Sequence, residues 1–217
     1  MNTAIDTKQT TVGVLDLSIG NTGSIINIIK SVGGKAERIK DHQHIERYNA
    51  LVLPGVGRFD HGITRLRNLG FEEPLTRAVL KNKTPILGIC LGMQLMCNDS
   101  EEGSCPGLKW IDASIKKLPR EHNGESMIIP HMGWNRIRTD TVQGLFKGLD
   151  NARFYFVHSY GLIKPNETLQ SATTTYGTTF ISGFIKENIL AAQFHPEKSH
   201  KHGKLFFRNF IDWISDV

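Results

Sequence analysis

The sequence predicts an α/β fold in which helices cover both faces of a mixed, mostly parallel sheet. Short apolar runs alternate with helical patterns in the first half of the chain, which is typical of parallel strands joined by crossover helices. Between residues 109 and 193, strand-like segments are joined by Gly, Pro, Asn and Thr, which favours antiparallel or mixed pairing. A last amphipathic pattern predicts a closing helix.

Each element of the first half has its own signal. Strands are predicted where apolar residues run without interruption, because both faces of a parallel sheet are buried. Helices are predicted where apolar side chains recur every three or four residues, with a polar cap before them or glycines after them. The predicted strands are residues 11–17, 50–53 and 86–89, and the helices run from Asn21 or Thr22 to Gly33 and over residues 72–81.

The second half is predicted to be richer in strands. Its segments are shorter and are bounded by turn-forming residues. No repeat or linker divides the chain, so residues 11–217 are predicted to form one domain, preceded by a polar, flexible extension of residues 1–10. The predicted strands are residues 153–160, 179–185 and 189–194, and the closing helix covers residues 203–214, with Phe206, Phe210 and Trp213 on one stripe.

The composition favours an ordinary globular protein and excludes several classes. Of the 217 residues, 39% are hydrophobic and 22% are charged, which is enough for one buried core. No apolar run approaches the roughly 20 residues of a membrane span, and the start has no leader-like apolar region, so we expect a cytoplasmic protein without a membrane partner. The net charge of +5 is scattered rather than clustered, so no nucleic-acid partner is expected.

One cysteine stands between two glycines at the end of a predicted strand. Residues 88–92 read Gly-Ile-Cys-Leu-Gly, which has the form of a nucleophile elbow. The small flanking residues permit a sharp turn that presents Cys90, and the dipoles of the following helix favour its thiolate. The alternative is a small buried hydrophobe, the commoner fate of a free cysteine. Cys97 and Cys105 have no elbow, and we interpret them as structural, reduced thiols.

His195 is the best candidate for the base. It ends an apolar strand and precedes a proline, which biases it toward an extended conformation. In an extended chain His195 and Glu197 point to the same side, so the carboxylate can hold one ring nitrogen while the other faces Cys90. These residues form a candidate Cys-His-Glu triad. A polar loop is one alternative. A metal site that adds His200 and His202 is another, although no cysteine or second carboxylate stands nearby and we expect no metal.

The Pro-Gly-Val-Gly sequence at residues 54–57 is the third element. Its glycines allow backbone N–H groups to approach a ligand, so with the amide of Leu91 this loop is a candidate oxyanion hole. Most such loops in isolation are only turns. Here three signals fall at the carboxyl ends of predicted parallel strands, which is where ligands bind in such sheets.

Five motifs, in order, resemble the class I glutamine amidotransferases. Two of them are residues 88–94, Gly-Ile-Cys-Leu-Gly-Met-Gln, and residues 194–197, Phe-His-Pro-Glu. Residues 130–135, residues 156–160 and the Lys-Ser pair after Glu197 are similar to the glutaminase subunits of imidazole glycerol phosphate synthases. The resemblance extends from about residue 12 to residue 214 and implies a flavodoxin-like three-layer fold.

The resemblance implies that the chain hydrolyses L-glutamine to glutamate and ammonia without a cofactor. Cys90 would attack the carboxamide, His195 would carry protons to ammonia and from water, and Glu197 would orient His195. A glutaminase that ran without its acceptor would waste glutamine.

The resemblance also implies the residues that hold the substrate and the oxyanion. Gln94 and the backbone around Ser159 would bind glutamine, and the amides of Val56, which follows Gly55, and of Leu91 would bind the oxyanion. Because a peptide flanked by glycines reorients at low steric cost, we expect the N–H of Val56 to turn toward the intermediate only when the partner is loaded.

The implied partner is a (β/α)₈ cyclase subunit. Ammonia would pass through its barrel to a phosphoribulosyl-formimino aminoimidazole nucleotide, giving imidazole glycerol phosphate and aminoimidazole carboxamide ribotide in histidine biosynthesis. Asn21, Trp134, Tyr155 and Lys198 match positions that face this partner. Each also has an ordinary structural interpretation as a helix cap, a core aromatic or a solvated charge.

The sequence departs from the family pattern in two places. Leu17 and Ser18 follow Asp16 where the family usually has a tyrosine, and residues 109–113 match more loosely. These departures leave the acceptor open. Close relatives feed ammonia to a sugar-modifying synthase in surface-polysaccharide biosynthesis, with the same triad. A freestanding γ-glutamyl thiol hydrolase would share the cysteine and histidine but would need no partner surface.

Overall fold

A mixed sheet forms the centre of the computed structural model, which describes residues 10–140 and 143–215. The predicted flexible extension, residues 1–10, lies outside the described residues except for Thr10. Within the described ranges no helix is long and apolar enough to cross a membrane.

The chain contributes strands and helices in the following order. The strands are β1 (Thr11–Leu15), β2 (Lys35–Ile39), β3 (Ala50–Gly55), β4 (Ile86–Cys90), β5 (Asp99–Ser100), β6 (Ala113–Lys117), β7 (Glu121–His122), β8 (Glu125–Ser126), β9 (His131–Arg136), β10 (Arg153–His158), β11 (Tyr160–Pro165), β12 (Gln170–Tyr176), β13 (Thr178–Lys186) and β14 (Ile189–Ala192). The helices are α1 (Thr22–Ser31), α2 (Phe59–Asn68), α3 (Glu72–Thr76), α4 (Leu91–Leu95) and α5 (His200–Ser215), and a π-helical turn, Arg77–Lys81, continues α3.

The main sheet has ten strands and changes character along its length. Its order is β2-β1-β3-β4-β14-β13-β11-β6-β5, with β12 paired to β13. The pairs from β2 to β14 are parallel, whereas β14 with β13, β13 with β11 and β11 with β6 are antiparallel. Strands β9 and β10 form a separate antiparallel pair. The predicted mixed, mostly parallel sheet is therefore confirmed.

Two apolar clusters lie on opposite faces of the parallel half. Side chains alternate along each strand, so Leu51 and Leu53 of β3 join one cluster whereas Val52 joins the other. The first cluster includes apolar residues of α2, α3 and α4, and the second includes those of α1 and α5. Burial of both faces explains why the parallel strands read as uninterrupted apolar runs.

The structure differs from the sequence predictions mainly in element bounds. The predicted strand over residues 153–160 is two strands, because the chain turns at Ser159 between β10 and β11. Helix α5 begins three residues earlier than predicted. Strand β2 and helix α2 were not predicted. The sequence of β2 reads Lys-Ala-Glu-Arg-Ile with only two buried positions, and α2 begins without a side-chain cap.

Candidate active site

The candidate site lies where three parallel strands end. Gly55, the last residue of β3, is paired with Cys90, the last residue of β4, and β14 leads into His195 on the other side of β4. A cavity of about 330 Å³ opens there, lined by Val56, Gly57, Arg58, Cys90, Leu91, Gln94, Glu102, Pro130, Val157, His158, Ser159, Tyr160 and His195. Parallel strands thus bring together residues from distant parts of the sequence.

Cys90 lies in a strained turn between β4 and α4. Its φ of 54° and ψ of −111° are a backbone conformation that only glycine adopts freely. The two flanking glycines are required by the tight packing of this turn. A Cβ at Gly92 would lie 1.8 Å from the carbonyl oxygen of Leu53, and one at Gly88 would lie 2.9 Å from the backbone nitrogen of Met93. The tight packing of this turn therefore fixes the backbone of Cys90, which lies at the cavity wall.

His195 and Glu197 form a buried pair beside Cys90. The imidazole Nδ1 lies 2.8 Å from Oε1 of Glu197, and both side chains are only 2% exposed. The backbone N–H of His195 donates to Tyr155 O at 2.9 Å, and Ser199 Oγ donates to His195 O at 2.6 Å. The histidine is thus held by its side chain and by its backbone.

The charge state of His195 depends on its neighbours. Burial lowers the pKa of His195, but Cys90 and the Glu197 carboxylate, which is hydrogen-bonded to Nδ1, outweigh burial and together raise this pKa to about 10. Within the described residues, Nε2 of His195 and Oε2 of Glu197 have no hydrogen-bond partner. Charge on Cys90 acts on the His195 imidazole without a direct hydrogen bond, because Coulomb attraction extends beyond hydrogen-bonding distance. The arrangement therefore favours the imidazolium form of His195 beside Cys90.

Two glutamine side chains connect Cys90 to the opposite wall of the cavity. Gln193 Nε2 donates to Cys90 Sγ at 3.8 Å, and Gln94 Nε2 donates to Gln193 Oε1 at 2.9 Å and to Tyr160 O at 3.0 Å. Gln193 was not identified from the sequence. Its position two residues before His195 was the available signal, since such residues share one side of an extended chain.

The candidate oxyanion donors differ in their present bonding. The N–H of Val56 donates to Ile19 O at 2.7 Å, so it is engaged away from the cavity. Leu91 is the first residue of α4, where backbone N–H groups have no partner inside the helix. One donor is therefore suitably placed, whereas the other would require a reorientation of the loop at residues 55–57.

The far wall of the cavity contains an acidic residue that was not identified from the sequence. Ser159 and Glu102 both line the cavity, and Glu102 Oε2 accepts the N–H of Phe59 at 2.8 Å. The loop that carries Glu102 is anchored by Asp60, whose carboxylate accepts the N–H groups of Ser104 and Cys105 at 3.0 to 3.1 Å. These hydrogen bonds lower the pKa of Asp60. No spacing pattern in the sequence links Glu102 to Cys90.

Three of the four candidate partner residues lie together. Trp134 is 40% exposed and contacts the ring of Tyr155 with 6.1 Å between ring centroids, and Nζ of Lys198 lies 5.5 Å from the centroid of the Tyr155 ring. Trp134 is therefore not a core aromatic. Asn21 caps α1 by accepting the N–H of Ser24 at 3.2 Å.

The remaining candidate residues have other contacts. His200 stacks on Trp134 with 5.4 Å between ring centroids, and Nδ1 of His202 lies 3.0 Å from Arg153 O. Within the described ranges no three His, Cys, Asp or Glu side chains are arranged to hold a metal ion. Cys97 is fully buried, and burial raises the pKa of its thiol.

Comparisons with known proteins agree on one family. Residues 13–213 match the family model for glutamine amidotransferase class-I. The chain is 44% identical over 201 residues to imidazole glycerol phosphate synthase subunit HisH 2 of Methanococcus maripaludis, covering 92% of this chain and 98% of that one. It is 39% identical over 204 residues to the subunit of the same name from Pseudomonas aeruginosa, covering 93% and 98%.

Solved structures share the fold. A crystal structure of a glutamine amidotransferase aligns with a TM-score of 0.71 at 18% identity, covering 95% of this chain and 99% of that one. The structure of PurLQS from Thermotoga maritima aligns with a TM-score of 0.72 at 14% identity, covering 94% and 99%.

Proposed function

This chain belongs to the class I glutamine amidotransferase family, and we propose that it is the glutaminase subunit of an imidazole glycerol phosphate synthase. The observation that carries the proposal is the near-complete overlap of this chain with relatives that are named subunits of that synthase. A cavity lined by a strained cysteine and a buried histidine, with a carboxylate behind the histidine, supports the glutaminase chemistry. The substrate of the chain is then L-glutamine.

The first half of the reaction releases ammonia. The Cys90 thiolate attacks the carboxamide carbon, a C–S bond forms, and the carbonyl oxygen becomes an oxyanion. Nε2 of the His195 imidazolium then gives its proton to the amide nitrogen as the C–N bond breaks. Ammonia leaves, and a γ-glutamyl thioester remains on Cys90. Glu197 keeps Nδ1 of the ring protonated and directs Nε2 toward the reacting atoms.

The second half returns the enzyme to its starting state. Neutral His195 takes a proton from water, and the resulting hydroxide attacks the thioester carbon. The C–S bond breaks, glutamate leaves, and the thiolate and imidazolium are restored. The carboxylate of Glu102 suits the positively charged α-amino group of glutamine, and the backbone around Ser159 suits its α-carboxylate.

Activation requires the second oxyanion donor. The N–H of Leu91 is one donor, and that of Val56 becomes the other when it leaves Ile19 O. One donor of this kind contributes roughly 10²- to 10³-fold in kcat. We infer that the partner triggers this reorientation when its own ligand is bound, so that ammonia is released only when the molecule that accepts it is in place.

The proposed partner is a (β/α)₈ cyclase subunit that binds the face around Trp134, Tyr155 and Lys198, with Asn21. Exposed Met132 and Trp134 on β9 support this choice, because large apolar side chains at a surface favour a protein partner. The cyclase uses the ammonia to make imidazole glycerol phosphate and aminoimidazole carboxamide ribotide in histidine biosynthesis. A cytoplasmic location is part of the proposal and is supported by the three free cysteines.

The test is glutamate release from L-glutamine by the purified chain, alone and with the cyclase subunit and its nucleotide ligand. We expect strong stimulation by the loaded cyclase, loss of activity in Cys90→Ala, and near wild-type activity in the control Cys105→Ala. Cys90-dependent activity without stimulation would instead favour another synthase, such as a sugar-modifying one. High activity of the chain alone on γ-glutamyl peptides would favour a freestanding hydrolase.

A further inference from the structure

Two buried histidines lie beside the cavity but have no part in the chemistry described above. His131 begins β9 and His158 ends β10, and the two residues are directly opposite each other in the antiparallel pair. They are 3% and 7% exposed. The rings of Phe156 and Tyr176 stack on His131, with 4.9 and 4.1 Å between ring centroids. We call His131 and His158 the histidine pair.

The hydrogen bonds of the histidine pair determine both tautomers. Nδ1 of His158 lies 2.8 Å from Tyr160 O, and a carbonyl only accepts, so Nδ1 carries the hydrogen. Nε2 of a neutral His158 must then accept from Nδ1 of His131 at 3.1 Å. Nε2 of His131 in turn accepts from Asn135 Nδ2 at 3.2 Å. The Asn135 amide is oriented by its Oδ1, which accepts the N–H of Arg136 at 2.7 Å.

The charge state of the pair agrees with this pattern. Burial lowers the pKa of His131 to about 4 and that of His158 to about 3. Both rings are therefore neutral at physiological pH, as each donor and acceptor assignment requires.

The carbonyl of Tyr160 joins the histidine pair to the candidate active site. It accepts from Nδ1 of His158 and also from Nε2 of Gln94 at 3.0 Å. From Gln94 the hydrogen bonds continue through Gln193 to Sγ of Cys90. The carbonyl also lies next to Ser159, at the turn between β10 and β11 that forms the cavity wall.

We propose that His158, held in one tautomer by His131, is a positioning residue for the nucleophile. It does so by fixing the Tyr160 carbonyl, which orients Gln94 and Gln193 and through them the thiol of Cys90. The inference rests on the proposed glutaminase function. Misplacing a reacting group by about 1 Å can cost roughly 10²-fold in rate. Loss of the His158 hydrogen bond should therefore lower the reaction rate strongly, although His158 takes no part in the chemistry itself.

The test compares two substitutions whose effects on packing and on hydrogen bonding differ in direction. His158→Phe keeps the ring volume but removes the donor, whereas His158→Asn leaves a smaller side chain whose Nδ2 can replace Nδ1. We expect His158→Phe to lower kcat for glutamine at least tenfold, with a smaller change in KM. His158→Asn should retain most of the wild-type kcat, although its melting temperature should be lower than that of His158→Phe. The control is His202→Phe, which removes another imidazole bonded to a backbone carbonyl and should leave kcat unchanged.

A kcat that follows the melting temperature, with Asn worse than Phe, would overturn the proposal, because His158 would then only fill space. A second measurement does not depend on catalysis. Long-range ¹H–¹⁵N spectra of the wild-type imidazoles should show neutral Nδ1–H tautomers for both residues of the histidine pair. An Nε2–H tautomer at His158 would overturn the proposal, even in a chain without glutaminase activity. If the wild-type chain has no glutaminase activity but shows Nδ1–H tautomers, the proposed function is contradicted, whereas the hydrogen-bond network of the histidine pair is supported.

Discussion

The histidine pair makes the folding stability of this protein depend on pH, and His131→Phe isolates the contribution of one residue. Burial lowers the pKa of His131 from 6.5 to about 4. Between these values the unfolded chain binds a proton that the folded chain does not bind, so lowering the pH favours unfolding. The destabilisation caused by His131 is absent at pH values above its unfolded pKa of 6.5, and it grows as the pH falls toward about 4.

The magnitude follows from the interval between the unfolded pKa and the lower pH of the experiment. At pH 5 the folded imidazole is still neutral, and the unfolded one lies 1.5 pH units below its pKa of 6.5. At about 1.36 kcal/mol per unit, His131 costs about 2 kcal/mol of unfolding free energy between pH 8 and pH 5. His158 adds a cost of the same sign, and His195, with its raised pKa of about 10, has the opposite sign. Both cancel when the variant is compared with the wild type at each pH, because burial, the largest cause of the lowered pKa of His158, is kept in the variant.

Urea denaturation followed by circular dichroism at pH 8 and pH 5 measures this difference. Relative to the wild type, His131→Phe should become more stable by about 2 kcal/mol when the pH falls from 8 to 5. The phenylalanine ring fits between the aromatic rings of Phe156 and Tyr176. Met132→Phe, an exposed change at the next residue that removes no titratable group, is the control and should show no such shift. A difference between His131→Phe and the wild type that is the same at both pH values would refute the reasoning.

Two further predictions concern the elbow and the loop at the cavity wall. Gly92→Ala places a Cβ 1.8 Å from the carbonyl oxygen of Leu53 and should lower the free energy of unfolding by about 1 to 3 kcal/mol. Thermal denaturation checks this prediction. The control is Gly20→Ala, because a Cβ at Gly20 would lie 3.4 Å from its nearest neighbouring atom. Asp60→Ala removes the carboxylate that holds two loop N–H groups and should raise KM for glutamine about tenfold with little change in kcat. An unchanged KM in steady-state assays would show that the loop holds its shape without Asp60.

The parts of the candidate site that can be inferred from the sequence are those defined by short-range geometry. His195 and Glu197 are two residues apart around a proline, and their 2.8 Å contact needs only a locally extended chain. The turn at Cys90 is similarly encoded by its flanking glycines, which leave room for α4 to approach β3. The alternation of apolar runs and helical patterns predicted the parallel half of the sheet, because burial of both faces makes a strand an uninterrupted apolar run, whereas burial of one helix face repeats apolar residues every three or four positions.

The tertiary structure alone decided which distant residues complete the cavity. Gln193 contacts a thiol 103 positions earlier in the chain, and Gln94 contacts a carbonyl 66 positions later. The N–H of Val56 donates to Ile19 O, and the sequence around Val56 does not predict this partner. Such contacts depend on the order and register of strands, which the hydrophobic pattern of any one segment does not specify. The sequence by itself determined the local geometry around Cys90, His195 and Glu197, the candidate triad. Folding decided their surroundings, because hydrogen bonds between distant side chains form only after the strands have paired.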